Sequence, residues 1–541
     1  MLFALENELY KRFVPGSVGK GYWRNGKPGK DRKMNFPRVT RLYCKEEEMN
    51  NKVLVKGIAA ALGAAMVIGS AAIGWTAEGG VVKKGVESRN EKWAEKYPAQ
   101  YNSWKKTSEN DEIIDMIKKK PQLAVLWSGY GFAKDYNAPR GHNYALQSNI
   151  NSLRTGAPVG PDTGPMPTAC WTCKSPDVPR IMEEQGELEY YTGKWAKYGD
   201  EVVNSIGCAD CHDSTTAKLK ISRPYLLQGL EAIGVDTAKL NHDDMRTLAC
   251  AQCHSEYYFK KTEWTDKDGT KKTAAVVTFP WKNGLTADDM EKYYDEINFS
   301  DWTHKIRKAP MLKAQHPGYE MFQSGIHAKS GVTCADCHMP SIKDGDTAYS
   351  SHHLVSPIAE MGSICVNCHE QEAEELKAVV AVKFERKEQL MEIAMDNLAK
   401  AHLEAGKAWE LGATEQEMKD ILSDLRHGQW KWDYSIASHG SFFHAPEETL
   451  RLLAVANETA QTARLKLVQV LAKYGAVNYV APDFSTKEKA QALAGVDLPA
   501  LVAEKETFRT TLLKEWEKQA VKKGTLLPET RKGMSDKTSY N

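Results

Sequence analysis

Ten of the eleven cysteines fall into five pairs of one spacing, C-x-x-C: Cys170 with Cys173, Cys208 with Cys211, Cys250 with Cys253, Cys334 with Cys337, and Cys365 with Cys368. Histidine follows at once in four of them, as His212, His254, His338 and His369. In the remaining pair, 170-CWTCK-174, Lys174 takes that place. C-x-x-C-H is the pattern of c-type haem attachment. Two thiols at this spacing add to the two vinyl groups of one porphyrin, and the adjacent histidine is carried beneath the iron as its proximal ligand. A disulfide framework seldom repeats one short spacing five times. Zinc would need two knuckles or a Cys/His pair to close each site. A thioredoxin-like motif expects one C-x-x-C in a βαβ setting.

A haem that only carries electrons usually has two strong axial ligands, which close its iron to substrate. The chain has 15 histidines, so eleven remain for four distal positions once the four proximal ones are set aside. Lys174 changes the chemistry of its own site. A lysine amine becomes a workable ligand when burial and the metal depress its pKa. If no protein group covers the other face of that haem, its iron is open to a small molecule. One open haem fed by four closed ones is the layout of a multi-electron reductase or oxidase.

The motifs, their order, and the strings 154-RTGAP-158, 254-HSEYYF-259, 311-MLKAQHP-317, 325-GIH-327 and 444-HAPEE-448 resemble the pentahaem cytochrome c nitrite reductases, the ammonia-forming enzymes. The resemblance runs from about residue 85 to the C-terminus. It implies five covalently bound haems c, with the Lys174 haem as the catalytic one. It implies that Arg154, Tyr257 and His316 line the pocket that binds nitrite and serve catalysis together with Lys174. Guanidinium presents planar donors to an anion, and histidine and tyrosine can deliver the protons that reduction consumes. The distal haem ligands implied are His142, His327, His352 and His444, with His353 and His439 standing close by as alternatives. His242, His304, His402 and His427 are left for surface or helical positions. The resemblance also implies one calcium ion, held by side-chain oxygens of Glu256 and Gln315 and by the carbonyls of Tyr257 and Lys313. Taken alone, one Glu and one Gln read as ordinary loop polarity.

Further implications concern partners. The electron donor would be a quinol-oxidising membrane cytochrome or a small soluble one, the chain would form a homodimer through a long helix, and it would work in the periplasm. Two other functions compete: a multihaem enzyme converting hydroxylamine or sulfite, and a pure multihaem electron carrier. The carrier needs a protein ligand over the Lys174 haem.

These sites need a scaffold. Residues 81–140 are polar and rich in Lys, Trp and Tyr, with mixed helix and loop signals. Residues 141–370 are rich in Gly, Pro, Asp and aromatics and poor in long periodic runs. Together 78–370 are expected to form the pentahaem region, short helices and loops wrapped around five haems. Residues 371–541 change character. The stretches 371–408, 414–428, 447–474 and 500–523 have helical spacing and strong helix formers, and Gly475 is placed to cap one of them. The prediction is a mainly α multihaem cytochrome c with very little sheet. Its long C-terminal helices should share the compact domain and form the dimer interface. Basic and acidic residues nearly cancel, 72 against 71, so nucleic acid is not an expected partner. Residues 49–77 combine Lys52 and Lys56 with the apolar run 57–75, as in a signal peptide or an N-terminal membrane anchor. Residues 1–48 precede that segment and read as a non-native extension, with translation expected to start at Met49.

Overall fold

The computed structural model describes residues 85–532 and 534–540. The expected extension, 1–48, and the expected signal or anchor, 49–77, lie outside the described residues. No helix among the described residues is long and apolar enough to cross a membrane.

The fold is mainly α. Up to residue 370 the chain forms helices of four to ten residues joined by turns. Its longest sheet element is one antiparallel hairpin, β1 (Tyr258–Thr265) and β2 (Lys271–Thr278), with Tyr258 opposite Thr278. Two of the C-x-x-C motifs wind into single helical turns, Cys208–Cys211 and Cys334–His338. Each is unstable as an isolated helix, being far shorter than a self-sustaining one, and is held by caps. Asp210 accepts from the Gly207 amide at 2.8 Å, and Asp336 accepts from the Thr333 amide at 2.7 Å.

Long helices follow: α1 (Ala373–Glu410), α2 (Glu415–Ala437) and α3 (Pro446–Lys473). Thr414 and Glu417 start α2 with a reciprocal cap. Gly475, at φ +83°, ends the run after α3 in the left-handed conformation that suits glycine. Their contact surface is built from small residues. Ala401, Ala405, Ala408, Ala456, Ala460 and Ala463 are all fully buried, so the helix backbones approach closely.

Two stretches differ from the helical periodicity. Helix α2 continues past 428 to Ala437, because its aromatic run finds buried partners: the Trp430 indole donates to Ala287 O at 2.9 Å and that of Trp432 to Met391 O at 3.2 Å. The expected helix 500–523 is two helices, α4 (Leu498–Thr510) and α5 (Leu512–Lys523). Thr510 and Thr511 turn their hydroxyls back onto the carbonyls of Glu506 and Thr507, and Thr511 leaves helical geometry at φ −117°, ψ −89°. Such back-bonding competes with the helix ladder.

His304 departs from the surface-or-helix expectation. It is fully buried in the extended chain after Trp302–Thr303, stacked on His402 of α1 with ring centres 4.2 Å apart. The indole beside it and the helix above leave no route for its ring to solvent, and Val125 O accepts its Nε2–H at 2.9 Å.

Candidate active site

Two imidazoles on opposite sides of one iron, each with a metal–nitrogen bond of about 2.0 Å, have ring centres roughly 6.3 Å apart. Each histidine that follows a C-x-x-C pair has another ring at about that spacing. His212 and His352 are 6.1 Å apart, His254 and His142 6.1 Å, His338 and His444 6.3 Å, and His369 and His327 6.2 Å. Three of these rings are also oriented as ligands require. Nδ1 of His212 lies 2.8 Å from Ala217 O, that of His338 3.1 Å from Val355 O, and that of His352 2.9 Å from Ser350 O. A carbonyl there takes the Nδ1 proton and leaves Nε2 for a metal. His439 instead faces His316 edge-on at 5.3 Å. The motif residues thus fit haem c.

The motifs are close neighbours. Cys173 and Cys253 lie thiol to thiol, as do Cys250 and Cys334. Cys211 Sγ lies 3.8 Å from Ala249 O, next to Cys250.

Lys174 stands apart from the four histidines. Burial is the main cause that lowers its pKa, with the Arg154 charge adding to it and the Cys173 thiol opposing. Burial and the Arg154 charge both push toward the neutral amine that can bind a metal. Burial, followed by the Lys174 charge, pushes His316 down to about 4. Tyr257 is half-buried, with Cys173 and Cys170 near its phenol, and burial of that hydroxyl raises it well above the usual range. Arg154, Lys174, Tyr257 and His316 are therefore brought together around one C-x-x-C pair, from four separate segments.

Each is fixed from behind. The Arg154 guanidinium lies over the Phe132 ring, 4.6 Å from its centre. Its loop is pinned by Lys505 of α4, which donates to Ile150 O at 2.9 Å and Thr155 Oγ1 at 3.2 Å. His316 Nδ1 lies 3.4 Å from Ala437 O at the end of α2.

The residues expected to hold calcium also converge. Glu256 is fully buried and accepts from the backbone amides of Gln315 at 2.7 Å and His316 at 3.4 Å. The Gln315 side-chain amide lies 3.2 Å from Lys313 O. Two more carboxylates join them. Asp301 accepts from the Lys313 amide at 2.8 Å, and Glu320 accepts from the Glu256 amide at 2.8 Å. Burial raises Glu256 well above the usual range and pushes Asp301 and Glu320 up to about 7. The nearby ammonium, Lys313, is already engaged by Asp433 at 2.8 Å. Buried carboxylate, amide and carbonyl oxygens short of positive charge are a donor set that suits a hard cation.

Sequence reasoning missed Phe132, Asp301, Glu320 and Lys505. A weak hint was available for Phe132 in 129-GYGF-132, where Gly131 lets the chain pass close to Arg154; a Cβ on Gly131 would lie 3.4 Å from that of Arg154. Nothing local marks the other three.

The family model for cytochrome c552 matches residues 89–525. A cytochrome c-552 from Desulfotalea psychrophila is 60% identical over 497 residues, covering 91% of this chain and 98% of that protein. One from Maridesulfovibrio salexigens is 60% identical over 460 residues, covering 85% and 92%. Among solved structures, the catalytic subunit of cytochrome c nitrite reductase from Desulfovibrio desulfuricans, a protein with two calcium sites, superposes with a TM-score of 0.63 at 30% identity. That match covers 78% of this chain and 91% of that one.

Proposed function

The chain belongs to the cytochrome c552 family, and on that premise we propose that it is a pentahaem cytochrome c nitrite reductase forming ammonium. The observation that carries this reading is the contrast between the five motifs. Four histidines have a second ring at 6.1–6.3 Å, while the Cys170–Lys174 motif has Arg154 and His316 near its lysine and Tyr257 near its thiols. Haem c at the four histidine motifs would supply electron transfer, and at Cys170–Cys173 an iron with one position open to nitrite nitrogen.

The protein's own groups have distinct tasks. Nitrite takes up six electrons and eight protons to become ammonium and two waters. Arg154 attracts and orients the anion through planar N–H donors. The His316 ring, with Nδ1 against Ala437 O, keeps Nε2 available for exchanging protons with the substrate, and the Tyr257 hydroxyl supplies a second proton route. Glu256 and Gln315, each adjoining a pocket residue, together with the carbonyls of Tyr257 and Lys313, would hold calcium and so fix Tyr257 and His316. His142, His327, His352 and His444 are the distal ligands in this reading, and the thiol contacts between motifs favour a short electron relay. A quinol-oxidising membrane cytochrome or a small soluble cytochrome would donate electrons in the periplasm. Exposed Val379, Val382, Leu465 and Val468 on α1 and α3 would meet a second copy.

The test is ammonium production from nitrite with reduced viologen, comparing wild type with Lys174→His. Wild type is expected to form ammonium, and the variant to lose most of that activity while keeping its haem. Haem-loaded wild type giving no ammonium would overturn the assignment, and an unchanged variant would remove Lys174 from the mechanism.

A further inference from the structure

Lysine poses a positioning problem that histidine does not. A ligating histidine is oriented through its second ring nitrogen, as His212 and His338 are by Ala217 O and Val355 O. Lysine has one nitrogen on a flexible four-carbon stem, so its aim has to come from the backbone that carries it. That backbone also lacks the support that two of its counterparts have. The 208–211 and 334–338 turns are capped by their own Asp210 and Asp336. The turn at Thr168–Trp171 has no side-chain cap, and its motif holds Trp171 and Thr172 where those two hold Ala and Asp.

Support comes from outside the motif. Arg223, fully buried, donates from Nε to Thr172 O at 2.9 Å and from Nη2 to Ser175 O at 2.9 Å. These carbonyls bracket Cys173 and Lys174. The same guanidinium is anchored on Asp210 Oδ1 at 2.6 Å and on Ser222 Oγ at 2.7 Å. The network extends into a third motif: Gln252, inside Cys250–Cys253, donates to Asp210 O at 2.8 Å and accepts from the Ser222 amide at 2.9 Å.

We propose that Arg223 is the positioning residue for Lys174, a backbone clamp that aims the lysine amine and locks its motif in register with the motif at Cys208–Cys211. This rests on the reading that Lys174 ligates haem. Arg223 touches neither substrate nor reacting atoms. Its fork geometry matters because one planar group serves two carbonyls and a carboxylate at once, which a lysine ammonium at the end of its own flexible stem does not reproduce.

The experiment uses holoprotein carrying Arg223→Gln, Arg223→Lys, Asp210→Asn or Lys174→Met. Its readouts are haem content by pyridine haemochrome, the electron paramagnetic resonance signal of the open iron, and kcat and KM for nitrite. Arg223→Gln is expected to keep the signals of the four histidine sites, to shift or broaden the open-site signal, and to lower kcat on the order of 10- to 100-fold with little change in KM. Arg223→Lys should not restore the signal, and Asp210→Asn should give a smaller shift of the same kind. If Arg223→Gln yields no folded protein, Asp210→Asn decides by the same signal. An open-site signal and kcat equal to wild type in the Arg223 variants, or full rescue by Arg223→Lys, would overturn the clamp. If Lys174→Met also leaves that signal unchanged, the fault lies with the ligand reading itself.

Discussion

Between residues 85 and 370, an apolar core rich in Trp and Tyr is crossed by single polar connections that join the motifs. Arg223 spans Thr172, Ser175 and Asp210, and Gln252 spans Asp210 and Ser222. In α1–α3 much of the contact between helices is made by small apolar side chains, with Ala456, Ala460 and Ala463 fully buried, beside a few buried polar groups such as His402, Gln429 and Asp433. The difference has a physical reason. A polar bond has direction and fixes one geometry, and losing one partner leaves the other desolvated and unpaired. Apolar packing has no direction, so its losses are spread and graded. The directional bonds place reactive groups, and the small-residue packing adds stability without fixing any one of them.

The connection between the regions offers the hardest test of this contrast. Lys313, in the loop behind the pocket, pairs with Asp433 of α2 at 2.8 Å, and both are buried. Asp433→Ala should leave the buried Lys313 ammonium without a counter-charge, held only by the Ala314 carbonyl and the Trp127 and Phe132 ring faces, and cost about 3–5 kcal/mol, read as a lower denaturation midpoint. It should also weaken nitrite turnover, because Lys313 adjoins the oxygen cluster behind His316. Lost stability with unaltered turnover would mean that the loop is held by other means.

Overpacking the helices should affect stability alone. Ala460→Leu is expected to cost about 1–3 kcal/mol and to leave the visible spectrum and nitrite turnover at room temperature as in wild type. A changed spectrum would show that the helical packing reaches the haem sites.

The most gradual effect concerns pH. His402 is held down to about 3, chiefly by burial, with the Arg307 charge also lowering it, and His304 is held well below its usual value by burial and by His402. The unfolded chain takes up these protons below about pH 6.5 and the folded chain does not. Stability from this pair is therefore full above about pH 6.5 and falls as pH drops below it. The slope approaches about 1.4 kcal/mol per pH unit for each histidine. Urea midpoints from neutral to mildly acidic pH measure it, and His402→Leu should flatten the slope. A slope unaffected by that change would place acid sensitivity elsewhere.

Legibility follows the same division. The helices α1, α2 and α3 could be read from periodicity because packing, composition and local propensity all favour the same state. The break at Thr511 was not legible, since hydroxyls bonding to the preceding turn compete with a ladder that propensity alone favours. Lys174 was legible because a departure from a repeated pattern is local information. Asp301, Glu320 and Lys505 were not, because each acts on a segment far from it in sequence, and an acidic or basic residue in a loop has no local mark of burial.

The spacing of cysteines and the residue after each pair determine, from sequence alone, how many cofactors the chain can hold and which one differs. That follows because attachment is covalent and confined to five consecutive residues. The partner of each proximal histidine is a different matter. Fifteen histidines allow many pairings, and ring separations of 6.1–6.3 Å exist only once distant segments are folded together. The aim of Lys174 is likewise a tertiary property: the group that brackets it belongs to Arg223, far along the chain from Thr172 and Ser175, and a directional bond between distant residues leaves no trace in local composition.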